Sequence, residues 1–137
     1  MPVGAGDDSL EKLCVDTRTA LRKAIYTCTA GQRINAIGRV VEKEAARGGY
    51  TVIPDLCGHG VGASIHEEPQ VFNTYVKEAR EKLGRGLVMT IEPFFTHGIG
   101  EIYEADDGWT LKTTDGAIAA QFEHSFVVTK GQPIILT

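Results

Sequence analysis

The hydrophobic periodicity of the chain changes once, at the glycine pair Gly48-Gly49. Before this pair, apolar residues recur at spacings of three and four, which is the repeat of an amphipathic helix. After it, apolar runs are short and are separated by turn residues, as in a sheet. The two predicted helix faces carry Leu10, Leu13, Thr17, Leu21, Ile25 and Cys28, and then Ile34, Ile37, Val41 and Ala45. We therefore expect an α+β fold with two N-terminal helices packed on a mostly antiparallel sheet.

Short β-rich segments follow the second predicted helix. The strands are predicted at 50–53, 59–65, 87–92, 101–103, 109–112, 119–129 and 134–136. "NTYVKEAREKLGRG" between two of them suits a loop, and "TKGQP" suits a hairpin turn. Asp8 or Ser9 is predicted to cap the first helix. With no repeat or linker in view, residues 1–137 are expected to form a single domain.

The composition excludes several classes of protein. Charged residues make up 23% and hydrophobic residues 42% of the chain, as in a soluble globular protein. A net charge of −4 argues against a nucleic-acid partner, because binding to phosphates requires a basic face. Apolar runs are too short to cross a membrane, and "MPVGAGDDSL" lacks the order of a signal peptide. We expect no membrane partner and a cytoplasmic location, or an organelle if a presequence was removed.

A carboxylate lies in the most apolar predicted strand, "VMTIEPFF". Pro93 forces Glu92 into extended geometry and ends regular strand pairing just beyond it. Removing an ionised carboxylate from water among Ile91, Phe94 and Phe95 is costly unless it is paired or binds a metal. Glu92 is therefore a candidate for either role.

A second carboxylate lies in the predicted strand "AAQFEHSFVVT". Alternation places Phe122, His124, Phe126 and Val128 on one face of this strand. Glu123 then lies on the opposite face with Gln121 and Ser125. It points away from the most apolar side, into the space that the sheet encloses.

For either glutamate alone, an ordinary ion pair with Arg or Lys is the simpler interpretation. Two carboxylates in apolar strands, together with the glycine-flanked His59 of "CGHGVG", favour a metal site instead. Imidazole and carboxylate ligands suit Mn, Fe, Co or Zn, whereas Ca prefers oxygen ligands alone.

The two histidines of "GHGVGASIHEEPQ" are predicted to act separately. They lie seven residues apart, so on a regular strand His59 and His66 would face opposite sides. We expect them not to share one metal unless a bulge intervenes. His59 is the better ligand, because Gly58 and Gly60 permit close approach of the backbone. His66 is expected on a loop at the rim of the site, where it would hold or protonate a substrate.

Four segments together resemble one family. "CGHGVGASIHEEPQV", "TIEPFF", "DGWTLKTTDGAIAAQFEHSFVVT" and the final "ILT" are similar to methionine aminopeptidase of the bacterial and organellar type. The resemblance runs in order from about residue 3 to the end of the chain. It implies the pita-bread fold, which related enzymes that cleave before proline share along with the metal ligands. "HEEPQ" and "DGWT" are closer to the methionine enzyme.

The resemblance implies roles for individual residues. His59 and Glu92 would bind one metal, and Glu123 would bridge two. His66 would contact the substrate peptide and help to stabilise the tetrahedral intermediate. Trp109 would border the pocket for the methionine side chain.

Two positions depart from the pattern of the family. Ile65 stands where a phenylalanine often precedes the substrate-binding histidine, and Phe94 stands where a methionine often follows the "TIEP" proline. Both are expected to contact substrate, in a pocket that these two residues reshape.

Two further metal ligands of the family, both aspartates, have no match in this chain. Asp7 and Asp8 lie beyond that part of the pattern, in a predicted helix cap. The chain therefore resembles the C-terminal half of the fold, with at most one of two metals well held. The other half, or a second copy in a homodimer, would cover the exposed sheet.

The resemblance implies an aminopeptidase that removes the N-terminal methionine from peptides or nascent proteins. A metal-activated water would attack the first carbonyl, and Glu92 would shuttle the proton. The alternative is a catalytically inactive pita-bread module that binds a partner through the open cleft. Loss of two aspartates favours the module, whereas retention of His59, Glu92 and Glu123 favours the enzyme.

Overall fold

A computed structural model describes residues 7–137 of the chain. Helix α1 is Asp8–Tyr26 and helix α2 is Asn35–Gly48, as the periodicity predicts. The N-cap of α1 is Asp7, one residue earlier than expected, and its carboxylate accepts a hydrogen bond from the Ser9 N–H at 2.8 Å. Gly49 is the C-cap of α2, and its φ of 77° is the left-handed conformation that glycine tolerates. Neither helix is long and apolar enough to cross a membrane.

Ten strands form three antiparallel sheets in the described part of the chain. The strands are β1 Thr51–Val52, β2 Gly58–Gly60, β3 Glu67–Val71, β4 Val88–Ile91, β5 Phe94–Thr96, β6 Ile102–Glu104, β7 Leu111–Thr113, β8 Ala119–Gln121, β9 His124–Val127 and β10 Ile134–Ile135. The five-stranded sheet has the order β10-β9-β4-β2-β3, the three-stranded sheet β1-β5-β8, and the two-stranded sheet β6-β7. The mostly antiparallel arrangement is confirmed.

The predicted strands differ from the structure in four places. The 59–65 segment is a strand only as far as Gly60, and the chain turns between there and β3. β3 was not predicted, because Glu67, Glu68 and Pro69 argue against a central strand; it lies at the edge of its sheet, where proline is tolerated. β5 was also not predicted, and the 119–129 segment is two strands, β8 and β9.

Two neighbouring segments of the chain each contribute one strand to the five-stranded sheet and one strand to the three-stranded sheet. β4 and β9 pair in the five-stranded sheet, and their continuations β5 and β8 pair in the three-stranded sheet. The unpaired residues between the strands are Glu92 and Pro93 on one segment and Phe122 and Glu123 on the other. The pairing register is the same on both sides of these residues, so Glu92 lies opposite Glu123 and Pro93 opposite Phe122. Proline cannot donate a backbone hydrogen bond, which accounts for the interruption of the ladder at this level.

The hydrophobic core lies between the helices and the sheets. α1 packs against β4, β5 and β8, and α2 packs against β1 and β3. Fully buried side chains from both layers fill the space between them; they include Leu13, Leu21, Ile25, Ile37, Val41, Met89, Phe95 and Phe126. Each such side chain contributes roughly 1.5–3 kcal/mol relative to full exposure. The packed helices thus hold in place the strands that carry Glu92 and Glu123.

Gly38 marks the closest approach of α2 to the segment after β3. A Cβ at this position would lie 2.0 Å from the Thr74 carbonyl oxygen, which is backbone and cannot rotate away. We expect Gly38→Ala to lower the free energy of unfolding by roughly 1–3 kcal/mol, although alanine is the better helix former. Urea denaturation measures the change. Gly84→Ala is the control, since a Cβ there meets no heavy atom within 4 Å. Equal stability of Gly38→Ala and wild type would contradict the packing described.

Candidate metal centre

His59 is the middle residue of β2, between two glycines that the sheet requires. A Cβ at Gly58 would lie 2.4 Å from the Thr90 carbonyl oxygen on β4, and one at Gly60 would lie 2.1 Å from the Glu68 carbonyl oxygen on β3. The glycines therefore let β2 fit between its two neighbours. The His59 N–H donates to Thr90 Oγ1 at 3.1 Å, which fixes the backbone from which the imidazole projects.

The orientation of the His59 ring is set by its own strand. Nδ1 lies 2.9 Å from the Gly60 carbonyl oxygen. Because a carbonyl only accepts, Nδ1 carries the proton in this bond, and the lone pair is on Nε2. Nε2 lies 3.8 Å from Glu92 Oε1. An imidazole whose second nitrogen donates to a backbone carbonyl is the usual arrangement of a metal-binding histidine.

The break between the two sheets brings both carboxylates to this imidazole. His59, Glu92 and Glu123 each offer one ligand atom, and these atoms all lie within 4.8 Å of one another. Glu92 is half-buried and Glu123 is exposed. Burial, and secondarily the charge of Glu123, raise the pKa of Glu92 to about 6, while His59 and a hydrogen bond from Thr90 act in the opposite direction.

The donor set fits a divalent transition metal. One neutral imidazole nitrogen and two carboxylates are ligands that Mn, Fe, Co and Zn accept in proteins. Without a cation, burial of Glu92 and, secondarily, the nearby charge of Glu123 both disfavour the ionised form of Glu92. The structure thus brings together the three residues for which the sequence predicts metal binding.

His66 lies beside His59, not on the opposite side. Their ring centroids are 4.3 Å apart at an interplanar angle of 70°. Alternation along a regular strand does not apply here, because the chain turns after β2 and the pairing of β2 with β3 shifts register between His59 and Gly60. His66 is exposed on this loop, as expected for a residue at the rim. Both histidines and Glu92 line one open cavity of about 660 Å³.

The structure does not bring the three other predicted substrate residues to this cavity. Ile65 is 73% exposed, and Trp109, on the turn between β6 and β7, is 87% exposed. Phe94 lines a separate apolar cavity of about 240 Å³. Leu56 lines both cavities, so the two are adjacent. Contact of Ile65, Trp109 and Phe94 with a substrate stays a prediction.

Two residues that support the site were not predicted from the sequence. Asn73 is 1% exposed, and its Nδ2 donates to the carbonyl oxygens of Leu56 and Glu92, both at 2.9 Å. The Glu92 carbonyl lies between two strands, so this bond satisfies a group at the break in the ladder. The second residue is Thr90, whose Oγ1 accepts a hydrogen bond from the His59 N–H. Thr90 could have been predicted to support the site, because a threonine is unusual inside the apolar "VMTIE". Asn73 could not, because it lies in a polar stretch.

Residues 1–130 match the model for metallopeptidase family M24. The chain belongs to this family. "Methionine aminopeptidase 2" of Bacillus subtilis is 44% identical over 136 residues, which cover 98% of this chain and 55% of that protein. "Methionine aminopeptidase" of Aquifex aeolicus is 40% identical over 137 residues, covering 98% of this chain and 53% of that protein. This M24 chain therefore spans about half the length of the curated relatives it matches.

Solved structures confirm the expected partial pita-bread fold. Methionine aminopeptidase from Thermotoga maritima superposes with a TM-score of 0.93 at 34% identity, covering 97% of this chain and 53% of that one. A prolidase from Pyrococcus horikoshii superposes with a TM-score of 0.74 at 20% identity, covering 98% of this chain and 33% of that one. The second likeness shows the fold alone.

The raised pKa of Glu92 predicts a pH-dependent effect on the stability of the metal-free M24 chain. The pKa is about 6 in the folded chain against an ordinary value of 4.5, so folding favours the protonated form. The ionised form therefore destabilises the fold increasingly as the pH rises from 4.5 through 6. With EDTA present, we expect Glu92→Gln to raise the thermal midpoint at about pH 8 and to change it little at about pH 4.5.

The control for this experiment is Glu78→Gln, which removes an exposed carboxylate outside the site. It should leave the thermal midpoint unchanged at both pH values. An equal effect of Glu92→Gln at the two pH values would show that the charge of Glu92 is not responsible.

Proposed function

We propose that this chain carries part of the active site of a metal-dependent aminopeptidase that removes N-terminal methionine from peptides and proteins. The observation that carries the proposal is the convergence of ligand atoms of His59, Glu92 and Glu123, next to the open cavity that His59, Glu92 and His66 line. The names of the relatives in Bacillus subtilis and Aquifex aeolicus support the choice of substrate.

The proposed ligands are His59, Glu92 and Glu123, for one Mn, Fe, Co or Zn ion. Such an ion, when bound, would activate water for hydrolysis near neutral pH. Within residues 7–137 the convergent donor group has these three members. We therefore propose that at most one ion is well held by this chain, although the complete site of the family holds two.

Proton transfer and substrate binding are assigned to side chains of this chain. We assign the proton shuttle to Glu92, because it is the half-buried carboxylate of the donor group and lines the same cavity as His66. His66, which is exposed and lines the cavity, would donate to the carbonyl oxygen of a peptide entering it. The contact surface for the first side chain of the substrate would include Ile65, Phe94 and Trp109.

A non-catalytic module that binds a peptide partner is the second candidate function. The observation that favours it is the exposure of Ile65 and Trp109, neither of which lines the cavity of His59 and Glu92. Binding without hydrolysis needs less of the surrounding structure than positioning a carbonyl for attack.

Release of methionine from a Met-Ala-Ser peptide tests the enzymatic proposal. We expect the purified chain, supplied with Mn or Co, to release methionine at a rate that Glu92→Ala abolishes, because that variant removes a metal ligand and the proton shuttle together. Glu78→Ala is the matched control and should retain the wild-type rate. Turnover that persists in Glu92→Ala would identify a contaminating protease.

Mn binding, measured in parallel by electron paramagnetic resonance, separates the two candidate functions. Bound Mn without turnover would reject catalysis by this chain and leave the binding module. Absence of Mn binding in wild type would reject the assignment of His59, Glu92 and Glu123 as ligands.

We also propose that a second copy of the chain, or the other half of the family fold, covers the outer edge of the five-stranded sheet. The motivation is the edge strand β10, where Ile134 and the following Leu136 are 57% and 55% exposed. Exposed apolar strand edges favour pairing. For the homodimer, light scattering should give twice the mass of one chain at micromolar concentrations; a monomer throughout would exclude it.

A further inference from the structure

A second cavity is lined by basic side chains. It has a volume of about 510 Å³, and its lining includes Arg33, Arg39, Lys77, Arg80 and Lys82, with Tyr75. We call it the basic cavity. It shares no lining residue with the cavity of His59 and Glu92.

Two backbone segments, 31–36 and 75–83, carry four of these cations, and Arg39 follows on α2. The Gly31 N–H donates to the Leu83 carbonyl and the Leu83 N–H to the Gln32 carbonyl, both at 2.8 Å. The Ile34 N–H donates to the Glu81 carbonyl at 2.9 Å. The two walls of the basic cavity are therefore joined by backbone hydrogen bonds and do not depend on the charged side chains.

Some of the cationic side chains are themselves positioned. The Arg39 guanidinium carbon lies 4.5 Å from the centre of the Tyr75 ring, a cation–π distance. Arg80 Nε donates to the Lys77 carbonyl at 3.0 Å. These contacts reduce the rotamer freedom that ligand binding would otherwise have to remove.

The charges in the basic cavity are not balanced by acidic groups. The whole chain has a net charge of −4, yet the lining holds five cations and no carboxylate. None of the five forms an ion pair with any residue of the described range 7–137. Glu78 and Glu81 lie on the same segment but outside the lining. Mutual repulsion of the cations is relieved when an anion enters.

We propose that the basic cavity binds a compact polyphosphate, such as the di- or triphosphate group of a nucleotide. Arginine guanidinium groups recognise phosphate oxygens through paired hydrogen bonds, and lysines add point charges. A single phosphate carries about two negative charges and would neutralise fewer than half of the five cations, whereas a triphosphate carries about four. The match of charge therefore favours the longer anion.

Isothermal titration of the whole chain with sodium tripolyphosphate tests this proposal. EDTA is included so that a bound metal cannot hold the phosphate. We expect tripolyphosphate to bind more tightly than inorganic phosphate, and added salt to weaken the binding. The double variant Arg33→Gln/Arg39→Gln should weaken it by about tenfold or more.

The matched control is Arg18→Gln/Arg22→Gln, which removes the same charge from the exposed face of α1. It should leave the affinity for tripolyphosphate within about twofold. Equal weakening by the two double variants would show non-specific attraction and overturn the proposal, as would the absence of binding at millimolar tripolyphosphate. A single-stranded RNA of equal charge that binds more tightly would overturn the assignment to a compact polyphosphate in favour of a nucleic-acid backbone.

Discussion

The arrangement of this chain depends on placing two like charges opposite each other at an interruption between two sheets. Glu92 and Glu123 share one register level, at the point where each of their chain segments passes between the five-stranded and the three-stranded sheet. In a continuous sheet, like charges directly opposite are destabilising. Here the ladder is interrupted by Pro93, and both carboxylates offer an oxygen within 4.8 Å of a ring nitrogen of His59, close enough together to hold a cation. The feature that weakens the sheet is therefore the feature that creates the site.

Neutral groups around the interruption supply the rigidity that the missing ladder bonds do not. Asn73 donates two hydrogen bonds, which tie the carbonyl of Glu92 to the loop before β2. Both acceptors are carbonyls, so the orientation of the Asn73 amide follows from its partners. Thr90 ties β2 to β4 through the His59 N–H, and Gly58 allows the two strands to approach closely enough for that bond. The ligands are thus positioned by uncharged groups, which add no charge to compete with a metal.

The parts of the structure that could be predicted from the sequence are those governed by local periodicity and by the cost of burying charge. The helices follow from the spacing of residues such as Leu13, Leu21 and Ile37, and Glu92 is conspicuous because its neighbours are apolar. The position of His66 could not be predicted from its offset from His59, because side chains alternate between the two faces only while the strand continues. β3 was missed for a related reason: its Glu and Pro residues are tolerated only because it is an edge strand. Edge position is a property of the assembled sheet.

The partial burial of the site limits what three ligands can do by themselves. Glu92 is buried enough for its pKa to rise to about 6, whereas Glu123 is exposed and His66 lies at an open rim. Water can therefore reach one side of the donor group, and electrostatic interactions there are weaker than in an enclosed cavity. Trp109 and Ile65 extend into solvent and do not exclude it. Additional protein over this face would strengthen the hold on a cation by excluding water, even if it contributed no ligand. Supplying ligands to a metal and excluding water from the site are thus separate requirements. The described residues meet the first more completely than the second.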